Sequence, residues 1–213
     1  GHCHMFGGRI PRALPVHPGW MVASESVRAE ASAPEGPYTF REVVLPARGA
    51  EYWDGRSTHN PRVLSAHGRY YLFYMGSTHP LPEPGPADLT ARDSAWRVVA
   101  RANKRIGVAV SDDPRGPWQR CDAPALPTRP GTFYSFLTSN PTPAIGPDGA
   151  CRLVFKARAY RGDGHGPMTI GLALSEDPCG PYRVTGDAPV IDFDRVGEVE
   201  DPCLWHDADG YHM

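Results

Sequence analysis

The stretch Ile106-Gly107-Val108-Ala109-Val110-Ser111-Asp112-Asp113-Pro114-Arg115-Gly116-Pro117-Trp118 decides the fold, because it returns as Ile170-Gly171-Leu172-Ala173-Leu174-Ser175-Glu176-Asp177-Pro178-Cys179-Gly180-Pro181-Tyr182. A weaker copy runs from Val27 to Tyr38 and ends on Gly36-Pro37-Tyr38. Apolar residues at every second position mark a strand packed on one face. Gly-Pro before an aromatic sets a tight bend, and the ring then packs across neighbouring sheets.

A second motif alternates with the first. Asn60-Pro61-Arg62-Val63-Leu64 leads through a turn at His67-Gly68 into Tyr70-Tyr71-Leu72-Phe73-Tyr74. Asn140-Pro141 leads in the same way through Asp148-Gly149 into Leu153-Val154-Phe155, and Asp201-Pro202 through Asp209-Gly210 into Tyr211-His212-Met213. Glycine supplies the positive φ that such hairpin turns need. Two hairpin-linked strand pairs per repeat make a four-stranded antiparallel sheet, the blade of a β-propeller. A sandwich does not repeat two ordered motifs three times. The predicted fold is therefore all-β, a propeller of four-stranded blades.

The copies are unevenly spaced: Gly36, Gly116 and Gly180 are 80 and 64 residues apart, and Asn60, Asn140 and Asp201 are 80 and 61 apart. Blades therefore carry insertions, the longest running from Thr78 to Lys104 with a polar run through Asp93. Cys3-His4-Met5-Phe6 follows Gly1 as Tyr70 to Tyr74 follows Gly68, which reads as the second strand of a blade. Met213 falls inside the equivalent strand of the last copy. Residues 1–213 are expected to form a single propeller domain of about three blades, incomplete at both ends.

Composition agrees. The 24 Pro and 23 Gly among 213 residues suit many short elements and sharp turns, while 40% hydrophobic residues suit a packed core. A net charge of −2 gives no sign of a nucleic-acid or membrane partner, and no apolar stretch reaches 18 residues. Five scattered cysteines without a CxxC pair read as free thiols, so a reducing, cytoplasmic setting is expected. The nine histidines, including His2-x-His4, draw no zinc site.

In a propeller the first strand of each blade lines the axis, so Asn60, Asn140 and Asp201 should converge at one end. Glu198 and Glu200 stand beside Asp201, on one face of a strand by alternation. Carboxylates at a pocket floor are what glycoside hydrolysis requires, one protonated and one ionised. The same residues also fit a solvated loop, and the Asx-Pro positions fit structural turns. Before one blade opening, Glu51, Trp53, Asp54, Arg56 and His59 suit sugar stacking and hydroxyl contacts, and they equally fit an ordinary polar loop with Trp53 buried between blades. Arg158 and His165 could reach the axis from the following blade.

These Asx-Pro openings, the Glu200-Asp201-Pro202 run, the Gly210-Tyr211-His212-Met213 hairpin and the Gly-Pro-Trp turn resemble the five-bladed propeller glycoside hydrolases of family 43 and their β-fructosidase and sucrase-like relatives. The resemblance spans nearly the whole chain. It implies about three blades of five, an inverting reaction on an oligosaccharide or glycoside, and three acids: a base, a pKa-tuning Asp and a general-acid Glu. Glu200 matches the general acid, and Asn140 stands where the tuning Asp is expected, a task that Asp54 or Asp201 could take. The base would belong to a blade opening before Gly1. No cofactor is implied, although a structural cation such as calcium at the axis is compatible. The competing expectation is a carbohydrate-binding propeller without catalysis, with Asn60 and Asn140 holding sugar hydroxyls. A peptide-binding scaffold accounts least well for the carboxylates. Neither the sugar nor the oligomeric state is legible.

Overall fold

The computed structural model describes residues 1–91 and 94–213; Asp93, where the predicted polar run ends, lies outside the described residues. The strands are β1 (Cys3–Arg9), β2 (Glu25–Ala31), β3 (Thr39–Leu45), β4 (Ser57–Ala66), β5 (Arg69–Ser77), β6 (Arg105–Ser111), β7 (Gln119–Arg120), β8 (Leu137–Ile145), β9 (Cys151–Arg158), β10 (Tyr160–Arg161), β11 (Gly164–His165), β12 (Thr169–Ser175), β13 (Arg183–Val184), β14 (Trp205–Asp207) and β15 (Gly210–His212). Four short helices sit in the connections: α1 (Val16–Gly19), α2 (Pro86–Thr90), α3 (Ala95–Ala102) and α4 (Phe193–Val196).

The sheets follow the two motifs. β4-β5-β6-β7 form one four-stranded antiparallel blade, and β8-β9-β12-β13 form the next. β1-β2-β3 make a three-stranded sheet before them, and β14-β15 a hairpin after them. The chain is thus a propeller segment, with β1 in the place of β5 and β9.

Strand periodicity explains how blades pack. In β5 the odd residues Tyr71 and Phe73 face the following blade, where Leu153, Phe155 and Ala173 complete one core. The even residues Leu72 and Tyr74 face the preceding sheet, against Val44, Leu45 and Phe6. A blade buried on both faces needs apolar residues at every position, which β5 supplies in Tyr71-Leu72-Phe73-Tyr74-Met75. Equivalent threonines join successive sheets: the Thr58 hydroxyl donates to Leu45 O at 3.2 Å, and Thr138 to Leu126 O at 2.9 Å.

The backbone explains the Asx-Pro motif. Asn60, Asn140 and Asp201 have φ of 48°, 48° and 54°, in the left-handed region that Asn and Asp tolerate best. The first two interrupt the strand ladder, whose register slips between His59 and Arg62 and between Ser139 and Thr142. The Asn60 and Asn140 openings are therefore bulges, which re-aim a side chain out of the ladder.

The insertion from Thr78 to Lys104 forms α2 and α3 rather than a plain loop. Leu89 and Ala100 pack on Met21, Val22 and Trp20 of the β1–β2 connection in a small separate core. Connections from two neighbouring sheets thereby cover one end of the axis.

Candidate functional site

The three blade openings meet as expected. Asn60-Pro61, Asn140-Pro141 and Asp201-Pro202 line a cleft of about 190 Å³, together with Arg62 and Thr142. The Asn140 amide donates to Glu200 Oε1 at 3.4 Å and, more closely, to Asp201 Oδ1. Lys156, third from the end of β9, is paired to Glu200 across the same end. Burial pushes the Glu200 carboxyl up, but Lys156, Lys104 and the Asn140 amide outweigh it and hold the group below its ordinary value. Burial in turn pulls Lys156 down, partly offset by Glu200. Glu200 is an ionised carboxylate in the free site.

Glu198, Arg158 and His165 are not among the residues lining that cleft and form a neighbouring group of contacts. Arg158 Nη2 lies 3.2 Å from Glu198 Oε2, and Glu198 also accepts from the Met168 amide. His165 Nε2 lies 3.0 Å from Arg101 Nη1, and its Nδ1 lies 3.1 Å from both Arg158 Nη1 and Gly166 O. Burial lowers the His165 pKa, the Gly166 contact opposes it, and Arg158 and Arg101 lower it further, so the ring is neutral.

His59 borders the same end. Its Nδ1 is 2.7 Å from Ser24 Oγ, and its ring stacks on Trp20 with centroids 5.6 Å apart. Burial, then the Lys104 and Lys156 charges, pull its pKa down to about 4. Lys104 is 1% exposed, with Nζ 3.5 Å over the Trp20 ring. Nothing in the sequence marked Lys104, Arg101 or Trp20, since all three reach the axis from insertions. Lys156 carried one faint signal, a charge directly after the apolar run Leu153-Val154-Phe155.

The loop before β4 is corrected. Asp54 was expected to contact substrate or stand in as an acid, but it is 0% exposed. It accepts from Arg48 Nε at 2.7 Å, Arg120 Nη1 at 2.9 Å and the Tyr74 hydroxyl at 2.7 Å. A carboxylate with all these donors fastens the loop to the blade. Trp53, expected to stack on a sugar, stacks instead on Tyr74 with centroids 5.9 Å apart and lies against Gly76 and Gly107. Its repeat equivalent Phe133 stacks on Phe155 at 6.3 Å and lies against Gly171. Both rings fill the space above a strand glycine, a structural use. Glu51 is exposed beside Gly49, and Arg56 pairs with Glu83 in a separate cleft. Neither lines the Asn60–Asn140–Asp201 cleft.

Among the described residues no three His, Cys, Asp or Glu side chains converge as ligands, and Lys104 and Lys156 crowd this end. No helix among the described residues is long and apolar enough to cross a membrane.

Solved structures share this fold. The chain is similar to Zg3597, a family 117 glycoside hydrolase of the marine bacterium Zobellia galactanivorans, with TM-score 0.68 and 21% identity over 90% of this chain and 53% of that one. It is similar to a GH43_1 enzyme from Xanthomonas citri complexed with xylose, with TM-score 0.60 and 18% identity over 99% and 61%. A thermostable family-43 glycoside hydrolase matches with TM-score 0.56 and 20% identity over 89% and 56%. The chain thus has the propeller fold of glycoside hydrolases and spans somewhat over half the length of these structures. No protein-family model and no curated protein sequence matches it.

Proposed function

We propose that the propeller acts on a glycosidic bond at its axis, with Glu200 as the proton-handling carboxylate. The observation that carries this reading is that Glu200 and Asp201 share the amide of Asn140, which together with Asp201 lines the cleft made by the blade openings. Glu200 is ionised while Lys156 faces it. A glycoside that separates the two leaves burial to raise the carboxyl toward the protonated form a general acid needs. Asp201 shares the Asn140 amide with Glu200, so the pair is closer than the roughly 6.5–9.5 Å of an inverting acid and base. In an inverting reaction the partner of Glu200 is a carboxylate across the axis, and Asp201 tunes its charge.

The test is turnover of a panel of aryl glycosides and oligosaccharides by the protein and by Glu200→Gln. Loss of an acid catalyst lowers turnover by roughly 10²–10⁴-fold. Unchanged turnover in the variant removes Glu200 from the chemistry.

One observation favours a second reading. The Lys156 ion pair holds Glu200 ionised, and asparagines occupy two of the three blade openings, which suits a carbohydrate-binding propeller without proton transfer. Saturable sugar binding with no turnover of any panel member selects that reading.

A further inference from the structure

The end of the axis holds more positive charge than its carboxylates pair. Four cations gather there: Arg101 at the end of α3, Lys104 just before β6, and Lys156 and Arg158 in β9. Lys156 is paired to Glu200, and Arg158 to Glu198. Among the described residues no carboxylate comes within ion-pair distance of Arg101 or Lys104. Among the described residues the polar contact of the Arg101 side chain is the ring of His165, whose other nitrogen lies 3.1 Å from Arg158 Nη1, itself donating to Gly166 O at 2.6 Å. Among the described residues Lys104 lies against the face of Trp20, and burial with the charges of Lys156 and Arg101, opposed by Glu200, depresses its pKa well below the usual lysine value.

Stability does not explain this arrangement. A buried cation without a counter-ion costs several kcal/mol, and an apolar side chain of similar volume in its place is neutral or stabilising. Two guanidiniums on one imidazole repel each other further. They come from different blades, Arg101 from an insertion and Arg158 from a strand, so no local sequence constraint brings them together. An anion placed between them relieves the repulsion, and a carboxylate or sulfate matches the fork of donors that a guanidinium presents.

We propose that this end of the axis is a subsite for the anionic substituent of an acidic saccharide, gripped by Arg101 and Arg158 with Lys104 supplying positive field from behind. The inference rests on the reading of the cleft as a sugar site. The shared ligand chemistry is a sugar-borne carboxylate or sulfate ester.

Calorimetric titration with matched pairs tests it: glucuronic acid against glucose, and galactose 6-sulfate against galactose, with inorganic sulfate as control. The acidic member of at least one pair binds about tenfold tighter or better, the worth of one charge-assisted contact. Which pair shows the preference separates carboxylate from sulfate. Added salt weakens it. Arg101→Gln and, separately, Lys104→Met abolish the preference while melting temperature and circular dichroism confirm the fold. Equal binding within both pairs, no binding of either acidic sugar, a preference that survives both variants, or inorganic sulfate binding as tightly as the acidic sugars overturns the proposal. Turnover of neutral glycosides without any acidic preference sinks the subsite and leaves the hydrolase reading standing. An acidic preference without turnover of any glycoside does the reverse.

Discussion

The Lys156 ammonium, near the end of the second strand of its blade, is ion-paired to Glu200 in the segment that opens the following hairpin. Each group is held charged by the other against burial that favours its neutral form. The pairing makes the protonation state of the cleft a property of two blades together.

Replacing Lys156 with Met therefore raises the Glu200 pKa, since burial then acts with less opposition. Carboxyl titration by carbon-13 NMR in the variant should move Glu200 above its wild-type value. An unmoved titration would mean that Lys156 does not set the charge of this carboxylate.

Asp54→Asn leaves the Arg48 and Arg120 guanidiniums without their shared, fully buried carboxylate. Breaking a buried pair from one side costs about 3–5 kcal/mol. At about 2–4 °C per kcal/mol for a chain of this size, melting should fall by roughly 6–20 °C. A shift of a degree or two would show that the loop is held by other contacts.

Acid should weaken the fold through His59. Its folded pKa, about 4, lies below the value near 6.5 of an exposed histidine, so the unfolded chain binds the proton more readily. The stability that neutral His59 contributes is complete above about pH 6.5 and is lost as pH falls from there toward 4. The loss approaches about 3 kcal/mol at the lower limit. Urea unfolding of wild type and His59→Gln at pH 7 and pH 4.5 measures it, and the variant should show the flatter dependence.

Gly107→Ala places a Cβ 2.5 Å from Trp53 Cη2 and 2.8 Å from Tyr74 Cζ, inside a stacked pair that cannot part without opening the blade face. Overpacking of this kind costs about 1–3 kcal/mol. Gly7→Ala, where nothing lies within 4 Å, is the control and should melt close to wild type. Equal melting temperatures for the two variants would show that the Trp53 ring moves aside freely.

The architecture was legible because a propeller repeats its physics. Every blade needs the same left-handed opening, the same hairpin glycine and the same period-2 strand, so the motifs recur in order and align themselves. The floor of the cleft was legible for the same reason: Asn60, Asn140 and Asp201 are equivalent positions, and equivalent positions on the innermost strands must meet. The loop of Trp53 and Asp54 left two readings open, a sugar contact and an aromatic buried between blades, because an aromatic and an acid before a blade opening suit both. Only the packing of Trp53 on Gly76 and Gly107, and the donors around Asp54, shows them built into the blade.

The sequence by itself determined the blades, their order and the axial position of their opening residues, because repeat spacing encodes contacts between neighbours. The electrostatic character of the mouth was decided by tertiary structure alone. Arg101, Lys104 and Trp20 come from insertions that follow no period, and Lys156 takes the place that Met75 holds in the preceding blade. Their charges act on Glu200 and His59 through space across blade boundaries, a distance that no spacing along the chain records.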